Sequence, residues 1–257
     1  MLRWYKADLH IHSVLSACAE LSMGPREIVH VALYRGLDII AITDHNSAEN
    51  VPAVMDAALG SKLIVIPGME VYTREEAHMI CLFPDLERVM AFQRYIYEQV
   101  FPGEYDDSMF GPQLVCDKDE NILAENKRFL SLPLKASLQD ISNQVVQNNG
   151  LIYPAHIDRK SHSLLRVLGF IPNNLPIHAV EIFQSWETAR AQHRFLNNTS
   201  LSIVTASDAH DITQIGQAFT YFKLAEPSFE EVSRAIQKKD GRETSIFAPQ
   251  EVEKASA

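Results

Sequence analysis

The sequence predicts an α/β fold in which mostly parallel strands form a closed or nearly closed barrel. Short apolar runs alternate with segments of helical periodicity along most of the 257 residues, which is the pattern of βαβ units. Several of these runs are apolar at nearly every position, as expected for strands buried on both faces of a parallel sheet. We interpret residues 1–257 as a single domain, because α/β barrels of this length are often one domain.

The elements follow in order from the amino terminus. An apolar strand covers residues 7–13. Pro25 then opens a helix over residues 26–35, where its missing N–H does no harm, and Gly36 ends that helix. The same patterns predict the next elements, which are strands over 37–43, 62–73 and 75–83 and helices over 51–59 and 85–100.

Residues 101–133 interrupt the alternation. They are rich in Pro, Gly and acidic side chains, with a hairpin predicted over 115–122, so we interpret them as an insertion on the barrel-like body. The alternation then resumes, with helices over 137–148, 187–196 and 228–238 and strands over 151–156, 179–183, 201–210 and 219–224.

Composition narrows the classes of partner. The net charge of −10 argues against an extended basic groove for nucleic acid, so we expect no stable duplex nucleic acid as a partner. A small phosphorylated substrate is still compatible with this negative net charge, because bound metal ions reverse the sign of the charge locally. Three cysteines without CxxC spacing predict a reducing compartment. No run is long enough for a membrane span and the first strand follows the amino terminus closely, so we expect a cytoplasmic protein with no membrane partner.

His10 and His12 stand one residue apart in the first predicted strand. Side chains at i and i+2 project from the same face of a strand, and two converging imidazoles suit Zn, Fe or Mn. Further residues of metal-binding types stand near the ends of apolar runs, at Asp44, His45, Glu70, His156, Asp208 and His210. His78 stands at the start of another apolar run. In α/β barrels the carboxyl ends of the strands carry the active site. The pattern therefore predicts a metal centre there.

These residues lie in ordered motifs, at 8–13 (DLHIHS), 42–45 (ITDH), 68–70 (GME), 154–156 (PAH) and 207–210 (SDAH), with His78 between them. The set resembles the PHP (polymerase and histidinol phosphatase) family over nearly the whole chain apart from the insertion. The resemblance implies a distorted (β/α)7 barrel with a multinuclear metal centre at the carboxyl ends of its strands, which hydrolyses phosphoesters. It weakens the amidohydrolase alternative that a barrel and an HxH pair alone would allow.

The resemblance also implies which residues hold each metal ion. One ion is held by His10, His12, Glu70 and Asp208. Glu70 bridges to a second ion on His78 and His156, and His45 and His210 hold a third with one more ligand from the loop after the first strand. Glu70 and Asp208 are thereby also the expected catalytic carboxylates. We expect two or three divalent ions (Zn, Mn or Fe), since mixed imidazole and carboxylate ligands do not select among them.

The loop after the first strand departs from the family pattern. The family often has Asp or His five or six residues after the second histidine, where this chain has Ala17 and Cys18. A Cys18 thiolate is one candidate for the missing ligand. The Glu20 carboxylate is the other, and a third possibility is that Cys18 is only a small buried loop residue.

Other residues are candidates for supporting roles. Arg159 is predicted to clamp a phosphate through its bidentate fork, the alternative being a solvated loop for both Arg159 and Lys160. Asp44 is a candidate for orienting a ligand imidazole, and Glu181 is either such a group or a buried, paired acid. His162 and His193 are expected at the surface.

The function expected from these observations is a metal-dependent phosphoesterase acting on a small phosphorylated metabolite or a nucleotide. Three alternatives stay open: a histidinol-phosphate phosphatase, a hydrolase of short oligonucleotides or nucleoside bisphosphates, and a catalytically silent PHP binding module. Loss of several ligands would indicate the silent module.

Overall fold

The computed structural model describes residues 1–103, 105–183 and 200–249. The strands in this part of the chain are β1 (Arg3–Ile11), β2 (Ile39–Ile42), β3 (Ile64–Tyr72), β4 (His78–Leu82), β5 (Leu114–Cys116), β6 (Ile122–Glu125), β7 (Leu151–Pro154), β8 (Ala179–Glu181), β9 (Ser202–Val204), β10 (Thr220–Leu224) and β11 (Glu243–Ser245). The helices are α1 (Pro25–Tyr34), α2 (Val51–Ala58), α3 (Leu86–Gln99), α4 (Asp107–Phe110), α5 (Leu138–Gln147), α6 (Leu164–Leu168) and α7 (Phe229–Ile236). The helix predicted over 187–196 and His193 lie outside the described residues.

Seven strands form one mixed sheet in the order β11-β10-β1-β2-β3-β4-β7. The β1–β2 and β2–β3 pairs are parallel, whereas β10 pairs antiparallel with β1, and β4 with both β3 and β7. The predicted α/β class is confirmed, but a (β/α)7 count with mostly parallel strands is not. Only residues 73–77 join β3 to β4, and so short a connection makes a hairpin rather than a parallel crossover.

The sheet curls into a half-barrel, and a smaller sheet stands between its ends. This smaller sheet is the parallel pair β8–β9. Isolated backbone bridges join Ile152 to Ile177 on one side and Ile11 to Ala209 on the other. The carboxyl ends of β1, β2, β3, β7 and β9 therefore face a common space.

An apolar layer supports that space from below. Ile66 on β3, Ile80 on β4 and Tyr153 on β7 belong to one buried cluster. Alternate residues of a strand share a face, so Glu70 on β3 and His78 on β4 continue the rows that Ile66 and Ile80 begin. The polar side chains thus rest on a packed apolar floor, which limits their freedom to move.

The predicted insertion, residues 101–133, contains α4 and the β5–β6 hairpin, which confirms the hairpin. It packs along the loops that follow β1 and β2. Leu114 donates its N–H to the Val14 carbonyl at 2.9 Å, and the Asn46 amide donates to the Leu130 carbonyl at 2.7 Å. No helix in the described part of the chain is both long and apolar enough to cross a membrane.

Candidate metal centre

His10 and His12 aim their Nε2 atoms at each other, 3.1 Å apart, and both side chains are fully buried. The register between β1 and β2 shifts between Asp8 and Ile11, and such irregularities redirect side chains near active sites. Nδ1 of His10 lies 3.0 Å from Oε1 of Glu181, and Nδ1 of His12 lies 3.0 Å from the Ser16 hydroxyl. When both Nδ1–H groups are donated in this way, the Nε2 lone pairs of the two rings converge on one point.

Glu70, near the end of β3, lies at the middle of the cluster and is almost fully buried. Five imidazoles approach its carboxylate: His78 Nδ1 (2.9 Å), His156 Nε2 (3.2 Å) and His10 Nε2 (3.4 Å) at Oε1, and His45 Nδ1 (2.9 Å) and His12 Nε2 (3.5 Å) at Oε2. Burial alone would raise the pKa of Glu70, but the surrounding histidines hold that pKa well below its usual range. Glu70 is therefore an ionised carboxylate that faces two sides of the cluster.

Asp208 and His210 enter from the loop after β9. Oδ1 of Asp208 lies 3.2 Å from His10 Nε2 and 3.3 Å from His12 Nε2. Burial opposes ionisation of Asp208, but chiefly His10 and His12 keep its pKa below the usual range. His210 directs Nδ1 to the Asp208 carbonyl at 2.9 Å, and its ring stacks on His12 with centroids 4.1 Å apart.

Asp8 anchors this loop from β1. Its buried carboxylate accepts the N–H groups of Ser207 at 3.0 Å and of Gly216 at 2.9 Å. Asp208 itself has a positive φ of 50°, an uncommon conformation for a residue other than glycine. The two hydrogen bonds hold the backbone on both sides of Asp208 and His210.

The donor atoms fall into three overlapping groups within the described residues: His10, His12 and Asp208; His45, Glu70 and His78; and His12, His45 and His210. Zn ligands at about 2.0–2.2 Å in tetrahedral geometry stand about 3.4 Å apart, which matches the 3.1–3.5 Å separations around His10 and His12. The donor set therefore fits divalent ions. The resemblance implied that His45 and His210 share an ion with one ligand from the loop after the first strand. The grouping keeps His45 with His210, and it also places His45 with Glu70 and His78.

The loop after β1 brings Cys18, and not Glu20, to the cluster. Cys18 is exposed, so it is not the small buried loop residue of the third possibility, and it lines the same cavity as His45 and His210. Partial desolvation of its thiol opposes ionisation, but hydrogen bonds from His210 and His45 outweigh that effect and lower the pKa of Cys18 to about 6. Glu20 is exposed too, but its carboxyl lies beside Asp211 and does not line that cavity. The geometry of this loop favours Cys18 as the additional donor.

Two buried carboxylates, Asp44 and Glu181, orient the imidazoles of His12 and His10 from the side away from the cluster. Asp44 accepts the Ser16 hydroxyl at 2.7 Å, and Ser16 in turn contacts His12 Nδ1. Glu181 contacts His10 Nδ1 and also accepts the backbone N–H of His156 at 3.0 Å. Such partners fix the tautomer of a ligand histidine and the direction of its free nitrogen. Asp44 thus acts through Ser16, a residue that the sequence did not single out.

A cavity of about 300 Å³ opens above the cluster. Arg159 lines it, with Nη1 at 2.6 Å from Asp208 Oδ2 and the guanidinium 4.0 Å from the centre of the Phe183 ring. Lys160 is exposed and does not line this cavity. Arg159 therefore lies at the edge of the cluster, where it can contact a molecule in the cavity.

Residues 8–170 match the family described as PHP domain, and residues 189–240 match the one described as PHP-associated. The chain belongs to the PHP domain family. Among curated proteins, the uncharacterised protein YqxK of Bacillus subtilis strain 168 is 24% identical over 253 residues, which cover 92% of this chain and 62% of YqxK. This PHP chain therefore spans less than two thirds of that relative.

Solved structures share the fold. The lesion-specific endonuclease PfuEndoQ from Pyrococcus furiosus has a TM-score of 0.68 at 21% identity, covering 94% of this chain and 58% of its own. An endonuclease Q complex with a 27-mer duplex, which has an abasic lesion at the active site, has a TM-score of 0.67 at 21% identity and the same coverage. A protein of Bifidobacterium adolescentis assigned as a metal-dependent phosphoesterase has a TM-score of 0.52 at 18% identity, covering 79% of this chain and 87% of its own.

The endonuclease Q complex corrects one expectation. We expected no stable duplex nucleic acid as a partner because the net charge is −10. That expectation is wrong, because a protein with the same fold was solved in complex with a duplex whose abasic lesion lies at the active site. The fold itself therefore does not exclude duplex nucleic acid. Net charge sums over the whole surface, whereas binding depends on the local potential at the site, which bound cations reverse.

Tyr72 and His162 also line the cavity of the PHP centre. His162 is exposed, as expected, but its ring stacks on His78 and its Nδ1 lies 2.8 Å from the Tyr72 hydroxyl. No local motif indicates this pair, because the two residues lie 90 positions apart in the sequence.

Proposed function

We propose that this PHP chain is a metal-dependent phosphoesterase that works with two or three divalent ions, Zn, Mn or Fe. The observation that carries the proposal is the position of Glu70, whose two oxygens face different histidines of one buried cluster. The ligands we propose are His10, His12, Cys18, His45, Glu70, His78, His156, Asp208 and His210. Glu20 is left out of the set, since its carboxyl lies beside Asp211 and does not line the cavity, whereas Cys18 does.

Bound divalent ions would polarise the phosphoryl oxygens and lower the pKa of a bound water. The protein's own residues prepare the site. Glu70 and Asp208 supply negative charge, so that several cations can lie close together. Glu181 and Ser16 hold His10 and His12 with Nε2 toward the cluster. A catalytically silent module is disfavoured, because the described residues keep both carboxylates and all the histidines of the motifs in contact.

The proposed substrate is a small phosphorylated metabolite or a nucleotide, with its phosphoryl group in the cavity above the cluster. Arg159 would bind that group. Its Nη1 engages Oδ2 of Asp208, and a guanidinium has five N–H donors in all. The remaining donors suit phosphoryl oxygens.

Cleavage of a nucleic-acid phosphodiester is a second candidate. The endonuclease Q structures superpose on 94% of this chain, which supports testing such substrates directly. The match covers 58% of the endonuclease Q chain. The remaining part of an endonuclease Q has no counterpart in the matched region.

The experiment is a substrate panel with the metal-loaded protein. The panel holds p-nitrophenyl phosphate, histidinol phosphate, nucleoside monophosphates and bisphosphates, a short oligonucleotide, and a duplex with an abasic site. We expect hydrolysis of at least one class, abolished in Glu70→Gln and kept in Glu231→Gln, whose buried carboxylate pairs with Arg242 far from the centre. Full metal content with no hydrolysis of any class would overturn the proposal.

A further inference from the structure

We propose that His162, held by the Tyr72 hydroxyl, is a catalytic residue that donates a hydrogen bond from Nε2 to an oxygen of the substrate's phosphoryl group. This inference rests on the proposed phosphoesterase function and adds a substrate contact that no motif of the chain indicates.

The Tyr72 hydroxyl decides which nitrogen of His162 faces the substrate. Tyr72 is the last residue of β3, two positions after Glu70, and its backbone N–H is held by Asn46 Oδ1 at 2.9 Å. Its side chain is 7% exposed, and a buried tyrosine hydroxyl usually has a hydrogen-bond partner, to which it can donate. Within the described residues that partner is His162 Nδ1, at 2.8 Å. We infer that the hydroxyl donates and Nδ1 accepts, and a neutral imidazole that accepts at Nδ1 carries its proton on Nε2.

His162 is fixed in position although it is exposed. Its ring stacks on His78 with centroids 4.9 Å apart and planes 14° from parallel. Its carbonyl accepts the backbone N–H of His78 at 2.8 Å. Its φ of +57° lies in the left-handed region, which a residue other than glycine keeps only when its surroundings enforce it, as at functional sites.

The location of His162 suits a phosphoryl contact. His162 stacks on His78, and His78 Nδ1 lies 2.9 Å from Glu70, so a single ring separates His162 from the central carboxylate. His162 and Arg159 follow β7 on the same loop and line the same cavity. Among the described residues no side chain engages Nε2 of His162, which leaves that N–H for a molecule in the cavity.

A fixed donor at this position would favour the transition state. In phosphoryl transfer the negative charge is spread over the equatorial oxygens of the transferred group. A donor already in place stabilises that charge without any reorganisation of the site. Arg159 and His162 would then hold the oxygens that the metal ions do not.

Three variants separate this role from a merely structural one. His162→Leu keeps bulk over His78 but removes the N–H donor, and His162→Gln keeps an N–H donor on its side-chain amide. Tyr72→Phe keeps the ring but removes the hydroxyl that fixes the tautomer. The control is His30→Leu, which changes a largely exposed histidine on α1.

The measurements are metal content, calorimetric binding of inorganic phosphate to the metal-loaded protein, and hydrolysis of p-nitrophenyl phosphate. We expect His162→Leu to keep full metal content and to bind phosphate about 10- to 100-fold more weakly, the loss typical of a hydrogen bond to a charged group. We expect His162→Gln to recover most of that affinity and Tyr72→Phe to lie between. His30→Leu should match the wild type.

The outcomes distinguish the two proposals. If His162→Leu binds phosphate as the wild type does, with full metal content, His162 does not contact the phosphoryl group and this inference is overturned while the proposed function stands. If His162→Leu loses metal, or His162→Gln restores nothing, His162 only covers His78, and the inference is again overturned. If the wild type binds phosphate but hydrolyses no ester, the proposed function fails, and the phosphate affinities of the variants alone decide the role of His162.

Discussion

Glu70 concentrates the chemistry of the site in one residue, since five imidazoles approach its two oxygens. Removing its charge without changing its shape should therefore disturb several ligands at once. We predict that Glu70→Gln lowers turnover by about 10²-fold or more and lowers metal content. Activity assays and elemental analysis test this, with Glu231→Gln as the matched buried carboxylate. Near-normal activity with full metal content would show that Glu70 does not bridge.

Arg159 is half-buried, contacts Asp208 through Nη1 and lines the cavity, so its loss should affect the substrate more than the metal. We predict that Arg159→Ala raises KM for a phosphorylated substrate with a smaller change in metal content, because a contact made equally to substrate and transition state appears mainly in KM. Lys160→Ala, on the same loop but exposed, is the control. Unchanged kinetics for Arg159→Ala would return this residue to the solvated-loop interpretation.

Cys18 and Glu20 form a pair of competing candidates that the structure separates. We predict that Cys18→Ser lowers the metal stoichiometry, because a hydroxyl is a poor replacement for a thiolate, and that Glu20→Gln leaves it unchanged. Alkylation by iodoacetamide gives an independent measurement. Cys18 should react in the metal-free protein and be protected by metal, whereas Cys81 and Cys116, which are buried, stay unreactive in both. Equal reactivity of Cys18 with and without metal would contradict the assignment.

The sequence predicts residues of this site where a local rule applies. His10 and His12 are indicated by strand periodicity, and the carboxyl ends of strands indicate Glu70 and Asp208. Ser16 and His162 are different, because their roles depend on contacts with Asp44 and Tyr72 that only the folded chain creates. No local pattern marks such residues.

Connections between elements decide how far the fold can be predicted. Apolar runs look the same in buried parallel and antiparallel strands, so the pattern alone predicts a parallel β4, whereas β4 is antiparallel to both of its neighbours. The informative feature is the short 73–77 connection, which allows only a hairpin. That hairpin is also what places His78 opposite Tyr72 in the β3–β4 register.

Glu181 links three elements of the centre, because from β8 it reaches His10 on β1 and the backbone of His156 after β7. We predict that Glu181→Gln weakens metal affinity by about 10- to 100-fold, the usual cost of losing a partner that orients a ligand. Competition with a metal-sensitive dye measures this. Glu231→Gln should reduce thermal stability through Arg242 without changing metal affinity. An unchanged affinity in Glu181→Gln would leave Glu181 as a buried, paired acid only.

At the scale of the whole molecule, the cluster joins parts of the chain that are far apart in sequence. His10 and Asp208, which belong to opposite ends of the described chain, lie 3.2 Å apart across the site. This arrangement of ligands exists only in the folded chain. Metal ions therefore bind the folded state in preference to the unfolded one, and metal binding should stabilise the entire fold. A free metal concentration of 1,000 Kd contributes about 4 kcal/mol per site.

For a domain of this size that contribution corresponds to a rise in Tm of about 8–16 °C. We predict a shift of this order between protein treated with a chelator and protein reconstituted with Zn, Mn or Fe, followed by calorimetry. Glu70→Gln should show a much smaller shift, since the remaining ligands lose their common carboxylate, whereas Glu231→Gln should start from a lower Tm and show the full shift. An equal shift in Glu70→Gln and the wild type would mean that the stabilising ions bind elsewhere on the molecule, because the cluster around Glu70 could not then be their site.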